Sequence, residues 1–182
     1  MSWRLLSRMH RVFRAIPLLV LSVVCAVLFP GCGYRPLGEG NLPHGIQRLH
    51  LAAVSNGTFK PGVQGLVGAA ILRRLLVDGR VRLASEPDAD AVLGGTVTTY
   101  QNDPIAFEQA DIGRRFRVRL TLLFTLSDRR GGTAVMKEEV AGEAYYTAGT
   151  GVVATRAAED EAMQRAVLDL ATRVVARLMD DL

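Results

Sequence analysis

From residue 115 to residue 126 the chain alternates with a period of two. Phe116, Val118, Leu120, Leu122, Phe124 and Leu126 are apolar, while Arg115, Arg117, Arg119, Thr121 and Thr125 are polar, with Leu123 the exception. On a pleated backbone such a period sends the two sets to opposite faces, so the stretch predicts a strand with one buried side. The run "DRRGG" at 128–132 then turns the chain into a further strand over 133–146, and the two strands form an antiparallel hairpin. Upstream, residues 88–101 are rich in Val and Thr and predict a strand, weakened or bulged at Gly94-Gly95. Residues 46–54, "IQRLHLAAV", predict a short first strand ended by a turn at Ser-Asn-Gly.

Two segments carry helical periodicity instead. Pro61 suits a first helical turn, and from there to Val77 the residues Ile71, Leu72, Leu75 and Leu76 form a broad apolar arc with Arg73 and Arg74 facing away; Asp78-Gly79 stops the helix. Gly62, Gly65 and Gly68 within it are spaced GxxGxxG, which is not the GxGxxG of a phosphate-binding turn, and close helix packing is the expected role. Near the C-terminus, Thr155 can cap a long helix whose first turns carry Glu159, Asp160 and Glu161, acids that complement the positive helix end. Met163, Val167, Leu170, Val174 and Leu178 then recur at steps of four, three, four and four, a stripe that needs a sheet to lie on. The order β-α-β-β-β-α implies an α+β fold: a two-layer sandwich with a mostly antiparallel four-stranded sheet and both helices on one face. The domain is expected to span 46–182.

The N-terminal 31 residues read differently. Arg4, Arg8, Arg11 and Arg14 precede an uncharged run of 14 residues at 16–29. That run is shorter than the ~20 apolar residues a membrane span needs, and Pro17 interrupts it. It has the form of a cleaved export signal. Its removal takes away four of 22 basic residues and leaves 18 against 18 acids, so the remainder is neutral and a nucleic-acid partner loses its compositional support. Only Lys60 and Lys137 are lysines in that remainder; the other basic residues are arginines, suited to phosphate and carboxylate recognition.

Cleavage also discards Cys25 and leaves Cys32 alone, which rules out an internal disulfide, and no Cys/His cluster near it could hold zinc. The local pattern Phe29-Pro30-Gly31-Cys32-Gly33 resembles the bacterial lipobox, although Phe29 and Pro30 depart from its commoner residues. What that resemblance implies is a cysteine that becomes the acylated first residue; several acyl chains, at ~0.8 kcal/mol per buried methylene, would tether it stably. Gly33 in place of aspartate favours the outer membrane, periplasmic side. Residues 32–45, rich in Gly and Pro, read as the lipidated end and its linker.

Catalytic constellations are missing from the sequence. Ser55, Ser85 and Ser127 lie in no GxSxG turn, His44 and His50 have no second ligand at a metal spacing, and Asp88 with Asp90 reads as a solvated pair at the start of a strand. No enzyme, cofactor or metal is expected. Arg115, Arg117 and Arg119 suggest binding chemistry instead: side chains two apart on a strand lie ~6.8 Å apart, giving a row of about 13–14 Å with Arg114 beside it. The row fits a phosphorylated glycolipid of the outer membrane, each arginine gripping a phosphate, or it pairs with acids on a neighbouring strand such as Glu138, Glu139 or Glu143. Both readings stay open at this level.

Taken together, "GCGYRPLG", the segment from "IQRLHLAAVSNGTFKPG" to "AAILRRLL", "RRFRVRLTLLFTLSD" and "AAEDEAMQRAVLDLATRVVARL" resemble the LptE family of lipopolysaccharide-assembly lipoproteins, in order and across nearly all of the exported chain. The resemblance implies a non-catalytic plug that sits inside the LptD β-barrel of the outer membrane, helps it fold and contacts lipopolysaccharide through basic residues. Arg114, Arg115, Arg117, Arg119 and Lys137 are the candidates for that contact, and Cys32 for lipidation. Ile105 and Phe107, in a loop expected at 102–113, could insert between barrel strands or fold onto the core. Competing assignments are a lipoprotein of another outer-membrane machine, in barrel assembly or as a secretion pilotin, and an anchored periplasmic enzyme.

Overall fold

The computed structural model describes residues 45–106 and 115–180. The expected signal segment, Cys32, the linker, Phe107 and Arg114 lie outside the described residues. Six strands and two long helices follow in the order β1 (Arg48–Leu51), β2 (Ser55–Asn56), α1 (Val63–Asp78), β3 (Arg82–Leu83), β4 (Ala91–Ala106), β5 (Arg115–Asp128), β6 (Ala134–Thr147) and α2 (Val152–Asp180). They form an α+β fold with one mixed sheet ordered β3-β1-β4-β5-β6, and β2 pairs with β4 above β1.

The expected four-stranded, mostly antiparallel sheet is corrected in two ways. β4, β5 and β6 are antiparallel as expected, but β1, β2 and β3 are parallel additions. The first strand also breaks in two. Ser55 and Asn56, expected to turn, pair with Thr96 and Val97: the chain leaves β4 after the Ala52 N–H bonds to the Leu93 carbonyl and rejoins it at Ser55, three residues on. β4 itself runs through Asn102 to Ala106, which were expected in a loop.

Burial follows the alternation in β5. Val118, Leu120, Leu122, Phe124 and Leu126 are buried; in register on β6, Ala144, Gly142, Val140 and Met136 stand opposite Val118, Leu120, Leu122 and Leu126, Glu138 opposite Phe124, and Tyr146 opposite half-buried Phe116. On β4 the inward positions are Ala91, Leu93 and Val97; a bulge between Val97 and Thr99 then shifts the parity, so that Tyr100 faces Leu120. The bulge falls at Thr98 rather than at the expected glycines, and Thr98 Oγ1 donates to the Thr121 carbonyl. Each such extra residue turns a strand's remaining side chains over.

The helices pack against this inner face. On α2 the expected stripe of Met163, Val167, Leu170, Val174 and Leu178 is buried, widened by Ala162, Ala166, Ala171, Val175 and Met179. The small residues let the helix approach closely: a Cβ on Gly142 would stand 2.4 Å from the Ala166 carbonyl oxygen and from the Leu170 nitrogen. Thr155 does not cap α2. It lies in the first turn, and its hydroxyl donates back to the Gly151 carbonyl at 2.9 Å. On α1, Val63, Val67, Ile71 and Leu75 are buried but Leu72 and Leu76 are exposed, so the inward stripe is narrower than the sequence arc. Of the three glycines there, Gly62 adopts φ 78° at the N-cap and a Cβ on Gly68 would touch Val54, while one on Gly65 would meet nothing; close packing is not their common role. Gly79 ends the helix at φ 71°, its N–H donating to the Leu75 carbonyl.

Candidate functional site

With both helices on the inner side, the polar positions of β5 face outwards over a sheet surface that no helix covers among the described residues. Arg115, Arg117 and Arg119 stand there in a row. Ladder register sets Asp103, Tyr145 and Gln101, Glu143 beside Arg117 and Arg119 respectively. Arg117 Nη2 lies 4.0 Å from Asp103 Oδ2, a loose ion pair. The Arg115 guanidinium sits over the Tyr145 ring, 5.2 Å from its centre, in a cation–π contact. Arg119 has no ion pair among the described residues.

Of the acids expected to neutralise the row, Glu143 stands in register beside Arg119, Glu139 lies on the same face opposite Leu123, and only Glu138 faces the other side. Glu143 accepts the Tyr145 hydroxyl at 3.0 Å. Glu138 lies in register with inward-facing Phe124 and is 4.0 Å from Arg177 of α2. Two arginine heads that keep the strand spacing repel by about 0.6 kcal/mol in water, and more beside a protein surface, so an arriving anion relieves repulsion as well as forming its own bonds. Lys137 faces the same side but is in register with Thr125, six residues from the partner of Glu143; this puts it ~20 Å from Arg119. The structure therefore gathers Arg115, Arg117 and Arg119 and leaves Lys137 at the far end of the face.

Arg115 also borders an open polar recess of about 490 Å³, lined by Tyr145, Thr147, Glu161 and Arg165 among others. Arg165 pairs with Glu161 and donates to the Tyr145 carbonyl at 2.9 Å. Together with Asp169, which accepts the Glu143 N–H at 3.1 Å and is held by Arg173 at 2.9 Å, it caps the outer edge of β6 with side chains from α2.

Two polar clusters that the sequence did not reveal tie distant segments of the fold together. Asp90, expected to be solvated beside Asp88, has a side chain only 8% exposed. It accepts the Arg48 N–H at 2.9 Å, the Gln47 N–H at 3.3 Å and the guanidinium groups of Arg48 and Arg130 at 2.9 and 3.1 Å. The bonds from Arg48, side chain first and then backbone, hold its carboxyl far below the ordinary range even though burial opposes this. Asp88 does stay at the surface, where it accepts the Ser85 hydroxyl. The second cluster joins the loop after β2 to α2: Lys60 Nζ and the Tyr100 hydroxyl meet Glu159 Oε1 at 2.9 and 2.7 Å. Burial would raise Glu159, but those two donors hold it below its usual value, while burial and then the carboxylate push the Tyr100 phenol up. His50 is half-buried with Nδ1 3.2 Å from the Ala84 carbonyl oxygen, an ordinary strand histidine. No group of three or more His, Cys, Asp or Glu side chains gathers at metal distance among the described residues. Nor is any described helix long and apolar enough to cross a membrane.

A family model described as lipopolysaccharide-assembly, LptE, matches residues 46–178, which takes in every strand and nearly all of α2. No curated protein matches the chain. Solved structures share its fold at low identity. A minor lipoprotein from Acinetobacter baumannii aligns with TM-score 0.51 at 15% identity, covering 74% of this chain and 94% of its own. Lipoprotein B from Nitrosomonas europaea aligns with TM-score 0.52 at 12% identity, covering 79% and 88%. A Xanthomonas campestris protein aligns with TM-score 0.53 at 14% identity, covering 74% and 85%.

Proposed function

The chain belongs to the LptE lipopolysaccharide-assembly family, and from that premise we propose that it is the outer-membrane lipoprotein subunit of the lipopolysaccharide translocon. In this reading it plugs an LptD-type β-barrel, assists its assembly and contacts lipopolysaccharide on the way to the outer leaflet. Cys32 carries the acyl chains, and residues 33–45 tether the fold to the periplasmic side of the outer membrane. No chemical step is involved.

The observation that carries the lipid contact is the arginine row on the uncovered sheet face. Arginine's planar fork meets a phosphate through two parallel N–H···O bonds, and charge-assisted bonds of this kind contribute about 1.5–3 kcal/mol each. Three such forks along ~14 Å of a stiff strand present a preformed, anion-spaced surface, so little ordering cost opposes binding. Arg114, which precedes β5, is a further candidate contact, whereas Lys137 would meet a different part of the ligand or another molecule.

The test is the double charge reversal Arg117→Glu/Arg119→Glu. Both side chains lie on the outer face, so the fold and the barrel complex should survive, while lipopolysaccharide binding by the purified complex weakens about tenfold or more. Unchanged binding would return the row to an ordinary solvated surface. Depletion separates this assignment from the other envelope machines: surface lipopolysaccharide should fall while porins stay normal, and a general loss of barrels would instead indicate barrel assembly.

A further inference from the structure

β4 is the longest strand of the sheet's parallel side, and its neighbours there stop early. β1 pairs with residues 91–93 and β2 with Thr96 and Val97, the last contact being the Gly57 N–H donating to the Val97 carbonyl at 2.8 Å. Beyond that point no described strand lies beside β4 on this side, although the strand continues to Ala106.

The ladder fixes which groups are exposed along that edge. The Glu143 N–H points outwards from β6 to Asp169, so the odd residues of β6 face away from β5 and the even residues of β5 face β6. The odd residues of β5 therefore bond to β4. In register these are Arg117, Arg119 and Thr121 with Asp103, Gln101 and Thr99, so the backbone groups of Tyr100, Asn102 and Pro104 point to the free edge. Pro104, which has no N–H, stands where the ladder to β5 does not need one. None of these outward groups has a hydrogen-bond partner among the described residues.

Beside this edge stands a rigid loop with an exposed aromatic tip. Asn56 Oδ1 accepts the Thr58 N–H and hydroxyl at 2.9 and 2.8 Å, Asn56 Nδ2 donates to the Lys60 carbonyl at 2.9 Å, and Lys60 is anchored to Glu159. Phe59 at the tip is fully exposed, and between the loop and Thr98–Tyr100 lies an open cleft of about 400 Å³. At the other end Ile105 is exposed as well.

We propose that an extended segment of the barrel-forming partner adds to the sheet at the Tyr100–Pro104 edge, in line with β2, and packs apolar side chains on Phe59 and in the cleft. The inference rests on the translocon reading for the partner's identity. The occupant's chemistry comes from the edge itself, because a row of backbone donors and acceptors about 14 Å long is matched by another strand and not by a helix or an acyl chain. The chain's own residues 107–114 number eight, too few to run back along the edge to Tyr100 and return to Arg115. A second copy fits poorly: antiparallel self-pairing about Asn102 sets Pro104 opposite Tyr100 and leaves each Tyr100 carbonyl without a donor.

The experiment uses the full-length lipoprotein in its own membranes with a photo-crosslinking phenylalanine analogue at Gln101, whose side chain is exposed beside the edge. A crosslink to the co-purifying barrel protein, mapped to one short segment, is the expected result. In parallel, Asn102→Pro removes the central outward N–H without touching the ladder to β5, while Asn102→Ala keeps that N–H and removes only the side chain's bond to Tyr146. Barrel recovery should fall about fivefold to tenfold with the proline and stay near wild type with the alanine. A crosslink only within the chain or to a second copy overturns the proposal, as does equal recovery of both variants. If the proline variant fails to fold, the Gln101 crosslink decides alone. Wild-type protein that recovers no barrel sinks the translocon reading as well; recovery without a crosslink sinks the strand addition only.

Discussion

Asp90 shows how much one side chain can organise here. Its carboxylate collects bonds from Gln47 and Arg48 at the start of β1 and from Arg130 in the β5–β6 turn, while its own carbonyl accepts the Arg129 N–H. Three segments distant in sequence meet on it. Since its folded pKa is depressed, the stability it contributes is fully present above the unfolded carboxylate value near 4 and is lost as pH falls through the lower folded value. Asp90→Asn should therefore lower the melting temperature at pH 7 by roughly 5 °C or more and flatten the acid-side loss below about pH 4, checked by thermal unfolding across pH. In the sequence Asp88 and Asp90 look alike, two acids alternating with small residues. Only the arrival of Arg48 and Arg130, more than 40 and 40 positions away, makes one of them buried.

At the scale of elements, α2 packs on β6 through a close backbone-to-backbone contact. Gly142 lets the helix backbone reach the strand, and a methyl group there would overlap both the Ala166 carbonyl and the Leu170 nitrogen. Backbone atoms cannot rotate aside, so Gly142→Ala should cost about 3 kcal/mol, seen as a lower denaturant midpoint with an unchanged slope. The stripe on α2 and the alternation of β5 were legible in the sequence because each depends only on neighbours in the chain. The bulge at Thr98 was not. It arises where β4 must stay in register with β5 while bringing Tyr100 to Glu159, and the glycines that drew attention, Gly94 and Gly95, sit in regular ladder positions instead. Leu72 and Leu76 of α1 show the same limit: their periodicity suits a helix, but α2 and the sheet cover only the side carrying Val67, Ile71 and Leu75.

Across the whole molecule the ends of the sheet differ. The described chain begins beside the start of β4, next to the β5–β6 turn, while Arg115 stands at the opposite end of β5, thirteen residues or ~44 Å away. In the tethered reading the anchor is Cys32. Cys32→Ser should then move the protein from the membrane pellet to the soluble fraction with its fold and melting temperature intact; a variant that stays membrane-bound without its barrel partner would remove the anchor from this account. By itself, the sequence determined the two helices, the three long antiparallel strands, the two-faced character of β5 and the family resemblance, since periodicity and segment order survive without coordinates. The tertiary structure decided the parallel strands β1 to β3, the burial of Asp90, the separation of Lys137 from the arginines and the free edge of β4. Those features depend on which distant segments pair and in what register, and hydrogen bonds and burial between such segments leave no periodic trace in the residues that make them.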